Sequence, residues 1–338
     1  MLKVAIIGAG LRGRMYAAAL ADVPEVEVVR FVEPSPRVAD AAWRETGIPT
    51  LPSHDELLAQ VTFDAAIVAT PDFAHHAPAV ALAEAGTHLL VEKPLAMTVP
   101  EARAIRDAVA RGGRTCLVGF ENRWNPHVQA TKRAIEADTI GTPITSSATL
   151  SNSWFVPEQM LSWAAKSSPT WFLMPHTVDM LLWLTGRSVQ SVSAVASRGV
   201  LAARGIDTVD VVHALLTWDD GTTSSLTSSW VLPDGQDAIV DFRYQVIGTE
   251  GAITGDPIHQ GLDVTTDRRR TQGTLAGRIG MAQVGAPIWM AQEWAHNLLS
   301  GKATGPGVEQ GVVVTEIVSA IEQSYEAGGA TIRLADYS

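Results

Sequence analysis

Apolar and polar positions alternate in blocks along the first third of the chain. Short apolar runs at residues 4–7, 26–32, 65–69, 88–91 and 115–118 predict strands, and amphipathic stretches at 12–21, 37–46, 54–59, 77–85 and 99–111 predict helices between them. Ser53 with Glu56, and Thr98 with Glu101, have the spacing of capping boxes that open two of these helices. Such alternation predicts βαβ units around a parallel sheet buried on both faces. After Asn125 the pattern changes. A helix at 127–137 precedes strand-like runs at 144–150, 189–197, 209–218, 222–230 and 239–248, with Asp219-Asp220-Gly221 as a tight turn between two of them. Further helices are expected at 177–184, 290–299 and 312–326. Residues 255–287 have weak periodicity and read as a long loop or extension. The fold class is therefore α/β: a parallel-sheet domain over residues 1–122, then an α+β domain over 123–338 with a large mixed, mostly antiparallel open sheet.

Bulk properties narrow the function. A chain of 338 residues suits two cores better than one. Apolar residues make up 46% and charged residues 18%, which fits folded domains and gives no sign of disorder. A net charge of -11 argues against nucleic acid or an anionic membrane as partner. The basic run Arg268-Arg269-Arg270 is short enough to be a solvated loop. The single cysteine, Cys116, excludes an internal disulfide and a cysteine-rich metal site, and its apolar neighbours suggest a buried, inert thiol. No metal site is expected. The opening strand pattern lacks a signal-peptide or membrane-span signature, so a cytoplasmic location is expected.

Chemistry enters at the strand ends. Gly8-Ala9-Gly10-Leu11-Arg12-Gly13 has the form GxGxxG, follows the first strand and opens a helix, which is the context a dinucleotide-binding Rossmann motif requires. The glycines permit a tight turn and close approach to a pyrophosphate, and the helix N-terminus supplies bare N–H groups and a favourable dipole. Glu33, at the end of the second strand, would accept ribose hydroxyls and repel a 2′-phosphate, favouring NAD. Arg37 pulls the other way, because it could pair with that phosphate, so NADP stays open. Thr70-Pro71-Asp72 and Glu92-Lys93-Pro94 each end a parallel strand, where open α/β sheets bind ligands. His75 and His76 begin the helix after Asp72, a position that is usually solvent-facing.

At Glu92-Lys93-Pro94 the chain resembles the Gfo/Idh/MocA oxidoreductases. The likeness runs through Thr70-Pro71-Asp72-Phe73-Ala74-His75 and Gly119-Phe120-Glu121-Asn122-Arg123-Trp124-Asn125-Pro126 to Ile140-Gly141-Thr142-Pro143. It continues in His176-Thr177-Val178-Asp179, Leu184-Thr185-Gly186 and Gly248-Thr249-Glu250-Gly251. The resemblance implies an NAD(P) cofactor held by Gly8, Gly10, Leu11, Arg12, Gly13, Glu33, Arg37, Thr70, Pro71, Asp72, His75, Glu92, Lys93, Pro94 and Arg123. It implies substrates among sugars, cyclitols and related polyols, Lys93 as catalytic lysine and His176 as its partner. It also implies a homodimer or homotetramer paired through the C-terminal sheets. Two departures matter. The family's Asn after Thr-Pro is Asp72 here. The Asp that often stands four residues before the His is Phe172, and Ser167-Ser168-Pro169-Thr170 replaces a Gly-rich stretch, so a Lys–Asp–His relay cannot be assumed.

Alcohol oxidation needs a base for the hydroxyl proton, and a lysine serves if burial and a nearby positive nicotinamide ease its deprotonation. His176, read as starting a helix, is suited to passing a proton near neutral pH. Asp179, one turn later on the same face, could orient it or cap the helix. Trp154, Phe155, Trp163, Trp171 and Phe172 could pack on sugar rings or simply be core. Asn122 and Arg123 could line the same cleft, though a structural salt bridge explains Arg123 as well. Three readings stay open: a polyol dehydrogenase or reductase, a glycosidase- or epimerase-like enzyme that recycles its cofactor, and a dinucleotide sensor without turnover.

Overall fold

The computed structural model describes residues 1–235, 238–258, 263–265, 270–272, 277–279 and 282–337. They form two compact units, Met1–Glu121 with Ala276–Thr315, and Asn122–Leu275 with Glu316–Ser338. The first crossing falls beside Asn122. The expected unbroken second domain, 123–338, is corrected in one respect: Ala276–Thr315 returns to the first unit.

In the first unit the elements run β1 (Leu2–Ile7), α1 (Leu11–Ala21), β2 (Val26–Val32), α2 (Pro36–Thr46), β3 (Thr50–Leu51), α3 (His54–Gln60), β4 (Ala65–Val68), α4 (His76–Glu84), β5 (His88–Val91), α5 (Val99–Gly112) and β6 (Cys116–Val118). Among the described residues these strands make one six-stranded parallel sheet, ordered β3-β2-β1-β4-β5-β6. Strand β4 is buried throughout, and β1 and β5 are buried after their first residues, as a sheet covered on both faces requires. The Ser53 and Thr98 side chains accept the N–H groups of Glu56 and Glu101, the N-cap bonds that the sequence predicts. Cys116 is buried, and burial pushes its thiol up to about 12.

The second unit carries α6 (Pro126–Glu136), β7 (Pro143–Ser153), α7 (Pro169–Thr185), β8 (Val189–Ser197), α8 (Val200–Ala203), β9 (Val211–Trp218), β10 (Thr223–Leu232), β11 (Val240–Gly248) and β12 (Ala252–Gly255). The stretch expected as a loop, 255–287, holds two short antiparallel ladders: β13 (Asp263–Thr265) with β14 (Arg270–Gln272), and β15 (Gly277–Ile279) with β16 (Ala282–Val284). Residues 259–262, 266–269, 273–276 and 280–281, with Arg268 and Arg269 of the basic run, lie outside the described residues. In the first unit's returning segment, α9 (Ala286–Leu299) packs against α1 and buries Met290, Ala291, Trp294 and Ala295. Then follow α10 (Val308–Glu326) and β17 (Ile332–Arg333). The second unit's sheet has the order β12-β11-β7-β10-β9-β8-β17, with β7 and β10 parallel and the other pairs antiparallel. Helix α7 packs on β7 and β10.

The largest correction concerns α7. It starts at Pro169, not near His176, and Pro175 lies inside it. Ser168 caps it by accepting the Trp171 N–H, and Pro169 takes a first-turn position where a missing N–H costs nothing. Pro175 reads as a breaker in sequence, yet it removes one bond from a helix whose burial along most of its length compensates. No helix among the described residues is long and apolar enough to cross a membrane.

Candidate active site

In the first unit the expected residues gather at one edge of the sheet. β1, β4 and β5 are adjacent and parallel, so the Gly8–Gly13 loop, Thr70-Pro71-Asp72 and Glu92-Lys93-Pro94 leave at their carboxyl ends side by side. Gly8 has φ +98°, and a Cβ there would sit 2.5 Å from the Ala69 carbonyl oxygen. A Cβ on Gly13 would sit 1.9 Å from the Gly8 carbonyl oxygen. Both positions therefore require glycine. Gly10 faces open space, and as N-cap of α1 it leaves the helix without a side-chain cap. Leu11 is exposed in the first turn. Bare N–H groups, room beside Gly10 and the helix dipole fit a pyrophosphate.

The Glu33 carboxylate braces the loop by accepting N–H bonds from Ala9 (3.2 Å) and Ser35 (3.0 Å). It ties the end of β2 to the glycine loop after β1. Arg37 is exposed in the first turn of α2. Asp72 is buried in a short turn that Thr70 braces by donating its hydroxyl to the Ala74 carbonyl (3.0 Å). His75 corrects an expectation. It is buried, and its ring bridges the carbonyls of Pro94 (Nδ1, 2.6 Å) and Thr70 (Nε2, 3.0 Å), tying the two tripeptides together.

Lys93 is 4% exposed. Beside it lies a cluster that the sequence reading missed. The Glu92 carboxylate accepts from the Tyr16 hydroxyl, from Arg12 Nε (3.1 Å) and from the Lys93 backbone N–H (3.2 Å). Arg12 Nη1 donates to Glu121 (2.8 Å). Burial alone would lower the Arg12 pKa, but Glu121 and Glu92 outweigh it and raise it above its ordinary value. Burial and then Glu92 push the Tyr16 hydroxyl well above its ordinary value, so it serves as a neutral donor. The one sequence signal was spacing: Arg12 and Tyr16 stand at i and i+4 on α1.

The second unit is organised differently. His176 is buried in the middle of α7, and the Asn122 side chain reaches toward its carbonyl at 3.5 Å. Asp179 pairs with Arg123. Both its oxygens take Arg123, from Nε at 2.9 Å and Nη2 at 2.6 Å, and the guanidinium also lies over the Trp183 ring. Burial raises the Asp179 carboxyl above its ordinary value, and Arg123 only partly offsets this. Phe172 stands four residues before His176 on the same helix face. Its ring meets Trp163 and Trp230 edge-on, at 6.0 and 5.6 Å between centroids. Trp154 presents one ring face to the Arg204 guanidinium, 3.8 Å from the centroid. Among the described residues no group of three or more His, Cys, Asp or Glu is placed to hold a metal.

Comparison with known proteins decides the family. A model described as "Oxidoreductase family, NAD-binding Rossmann fold" matches residues 2–120, and one described as "GFO/IDH/MocA C-terminal domain" matches residues 128–254. The scyllo-inositol 2-dehydrogenase (NAD(+)) of Bacillus subtilis is 30% identical over 75% of this chain and 73% of its own. The chain belongs to the Gfo/Idh/MocA family. It is an oxidoreductase with an NAD-binding Rossmann domain. The levoglucosan dehydrogenase of Pseudarthrobacter phenanthrenivorans is 28% identical over the same shares. The crystal structure of scyllo-inositol dehydrogenase from Lactobacillus casei with bound NAD(H) and scyllo-inositol superposes with TM-score 0.85 over 99% of both chains. At 18% identity that likeness speaks for the fold.

Proposed function

We propose that this oxidoreductase oxidises a hydroxyl of a sugar, cyclitol or related polyol, or reduces the matching ketone, with Lys93 as acid/base and His176 as its partner in proton transfer. The observation that carries it is Lys93 itself: a buried lysine at the carboxyl end of β5, on the sheet edge that also carries the Gly8–Gly13 loop. When bound, the dinucleotide supplies the hydride acceptor. Gly8, Gly10 and Gly13 hold its pyrophosphate, and Glu33 holds its ribose. Lys93 takes the hydroxyl proton as the carbonyl forms. His176 exchanges that proton with water. Relatives named for inositols and for levoglucosan support the substrate class. The reading includes a homodimer or homotetramer through the outer face of the second unit's sheet, where Val195 and Leu215 are exposed.

A panel of sugars and cyclitols assayed by nicotinamide absorbance tests it, with NAD and NADP compared on the best substrate. Absorbance change with at least one polyol is expected, with NAD the more efficient cofactor because a 2′-phosphate beside Glu33 is repelled. Substrate conversion without net absorbance change would replace this reading with one in which the cofactor is recycled. A preference for NADP would overturn the role of Glu33 and promote Arg37.

A further inference from the structure

Glu92 has no solvent to satisfy it. Its carboxylate is 5% exposed as a residue and takes donors from three directions: the Tyr16 hydroxyl and Arg12 Nε on Oε1, the Lys93 backbone N–H on Oε2. Its own backbone N–H bonds the Val68 carbonyl at 2.9 Å, which fixes the residue to β4. The end of β6 presses on it from the other side. A Cβ at Gly119 would lie 3.2 Å from Glu92 Oε2 and 3.3 Å from its Cα, so only a small residue allows that approach. Both donors to Oε1 come from α1, the helix that the glycine loop opens.

We propose that Arg12 and Tyr16 are positioning residues for Lys93, acting through the Glu92 carboxylate that holds the Lys93 backbone. The inference rests on the reading of Lys93 as the acid/base. First, direction: a lysine side chain goes where its backbone aims it, and the Lys93 N–H is aimed by Glu92 Oε2. Misplacing a reacting group by about 1 Å can cost roughly 10²-fold in rate. Second, satisfaction: Arg12 Nε and the Tyr16 hydroxyl both donate to Glu92 Oε1, and Arg12 Nη1 ties the same guanidinium to Glu121 after β6. A buried carboxylate that loses these donors must turn toward other partners, and the Oε2 that holds the Lys93 N–H turns with it.

The test is a set of purified full-length variants, Arg12→Met, Arg12→Lys, Tyr16→Phe, Glu92→Gln and Lys93→Ala, assayed in the oxidation direction with NAD. Turnover and polyol KM are measured at saturating NAD, with NAD affinity by fluorescence titration and thermal midpoint alongside. Arg12→Met should lower kcat roughly 10- to 100-fold with polyol KM within about threefold. Arg12→Lys keeps a donor to Glu92 and should recover part of that kcat. Tyr16→Phe should lower kcat about tenfold, because it removes one donor to the same oxygen. Glu92→Gln should lower kcat at least as much as Arg12→Met. NAD affinity is measured because Arg12, Glu92 and Lys93 are also expected to meet the cofactor, and the positioning role is read from kcat at saturating NAD. A purely structural role would lower the thermal midpoint and leave kcat of the folded, NAD-saturated protein in place. If Lys93→Ala is inactive while Arg12→Met and Tyr16→Phe keep wild-type kcat, this inference alone is overturned. If Lys93→Ala turns over normally, the reading of Lys93 falls and the positioning role falls with it.

Discussion

The two units place functional side chains in different ways. In the first, each candidate sits where a parallel strand ends, and polar bonds pin it there: Glu33 to Ala9, His75 to Thr70 and Pro94, Glu92 to Arg12, Tyr16 and Lys93. In the second, the candidates ride on one long buried helix and are set by packing: Phe172 edge-on to Trp163 and Trp230, Asp179 clamped by Arg123, His176 between them along α7. Polar pins are directional and tolerate little change in geometry. A packed aromatic wall tolerates changes of shape but rejects polar groups it cannot satisfy. The first arrangement suits groups that must keep one geometry, and the second suits a surface whose shape can change.

The largest expected effect tests that division directly. Lys93→Ala should lower turnover by roughly 10²–10⁴-fold, the range for loss of a general base, with dinucleotide affinity little changed. His176→Ala should lower turnover less, because no carboxylate stands at position 172 to complete a relay and water can stand in for the ring. Steady-state kinetics with folding confirmed by circular dichroism decide it. Near-normal turnover in Lys93→Ala, or a deeper loss in His176→Ala than in Lys93→Ala, would break the comparison.

A second effect concerns stability in the packed unit. Asp179 is 1% exposed, and its two oxygens both depend on Arg123. Removing one partner of a buried pair leaves the other charge uncompensated, at a cost of about 3–5 kcal/mol. Arg123→Met should therefore lower the denaturation midpoint sharply, and the double variant Arg123→Met/Asp179→Leu should recover much of the loss. A midpoint unchanged in Arg123→Met would show that the pair contributes little to folding, and would return Arg123 to the ligand-binding role first expected of it.

The same contrast explains what was legible in the sequence. Gly8, Gly13 and Glu33 were readable because a backbone constraint or strand-end spacing names the residue type locally. Lys93 was readable from its place beside Pro94 and the family likeness. The Tyr16–Glu92 bond was not, since its partners lie 76 residues apart and neither position alone demands the other. His75 was misread because a helix-start histidine is usually exposed, and only the two tripeptides it bridges explain its burial. The start of α7 was placed about two turns too late, at His176 instead of Pro169, because Pro175 reads as a stop. The return of Ala276–Thr315 to the first unit was hidden by weak periodicity just before α9, whose apolar residues cover α1.

The smallest effect concerns substrate choice. Phe172 replaces the acid that many family members carry one turn before the histidine, and its neighbours Trp163 and Trp230 are also aromatic. If this face meets the substrate, a hydroxyl pressed against three rings loses its bond to water and gains none, which costs about 1–3 kcal/mol. A substrate presenting a deoxy or otherwise apolar carbon at that position avoids the cost. Unmodified inositol should therefore have a kcat/KM roughly 10- to 100-fold below that of the best such compound. Phe172→Asn should narrow the ratio by giving the hydroxyl a partner, and it adds no charge that must be buried among the rings. Measuring kcat/KM for a matched pair, one ring with and one without the hydroxyl, on both proteins isolates the effect from overall activity. Inositol as the best substrate of the wild-type enzyme, or a ratio that Phe172→Asn leaves unchanged, would mean that the aromatic wall is core packing and that specificity is set elsewhere.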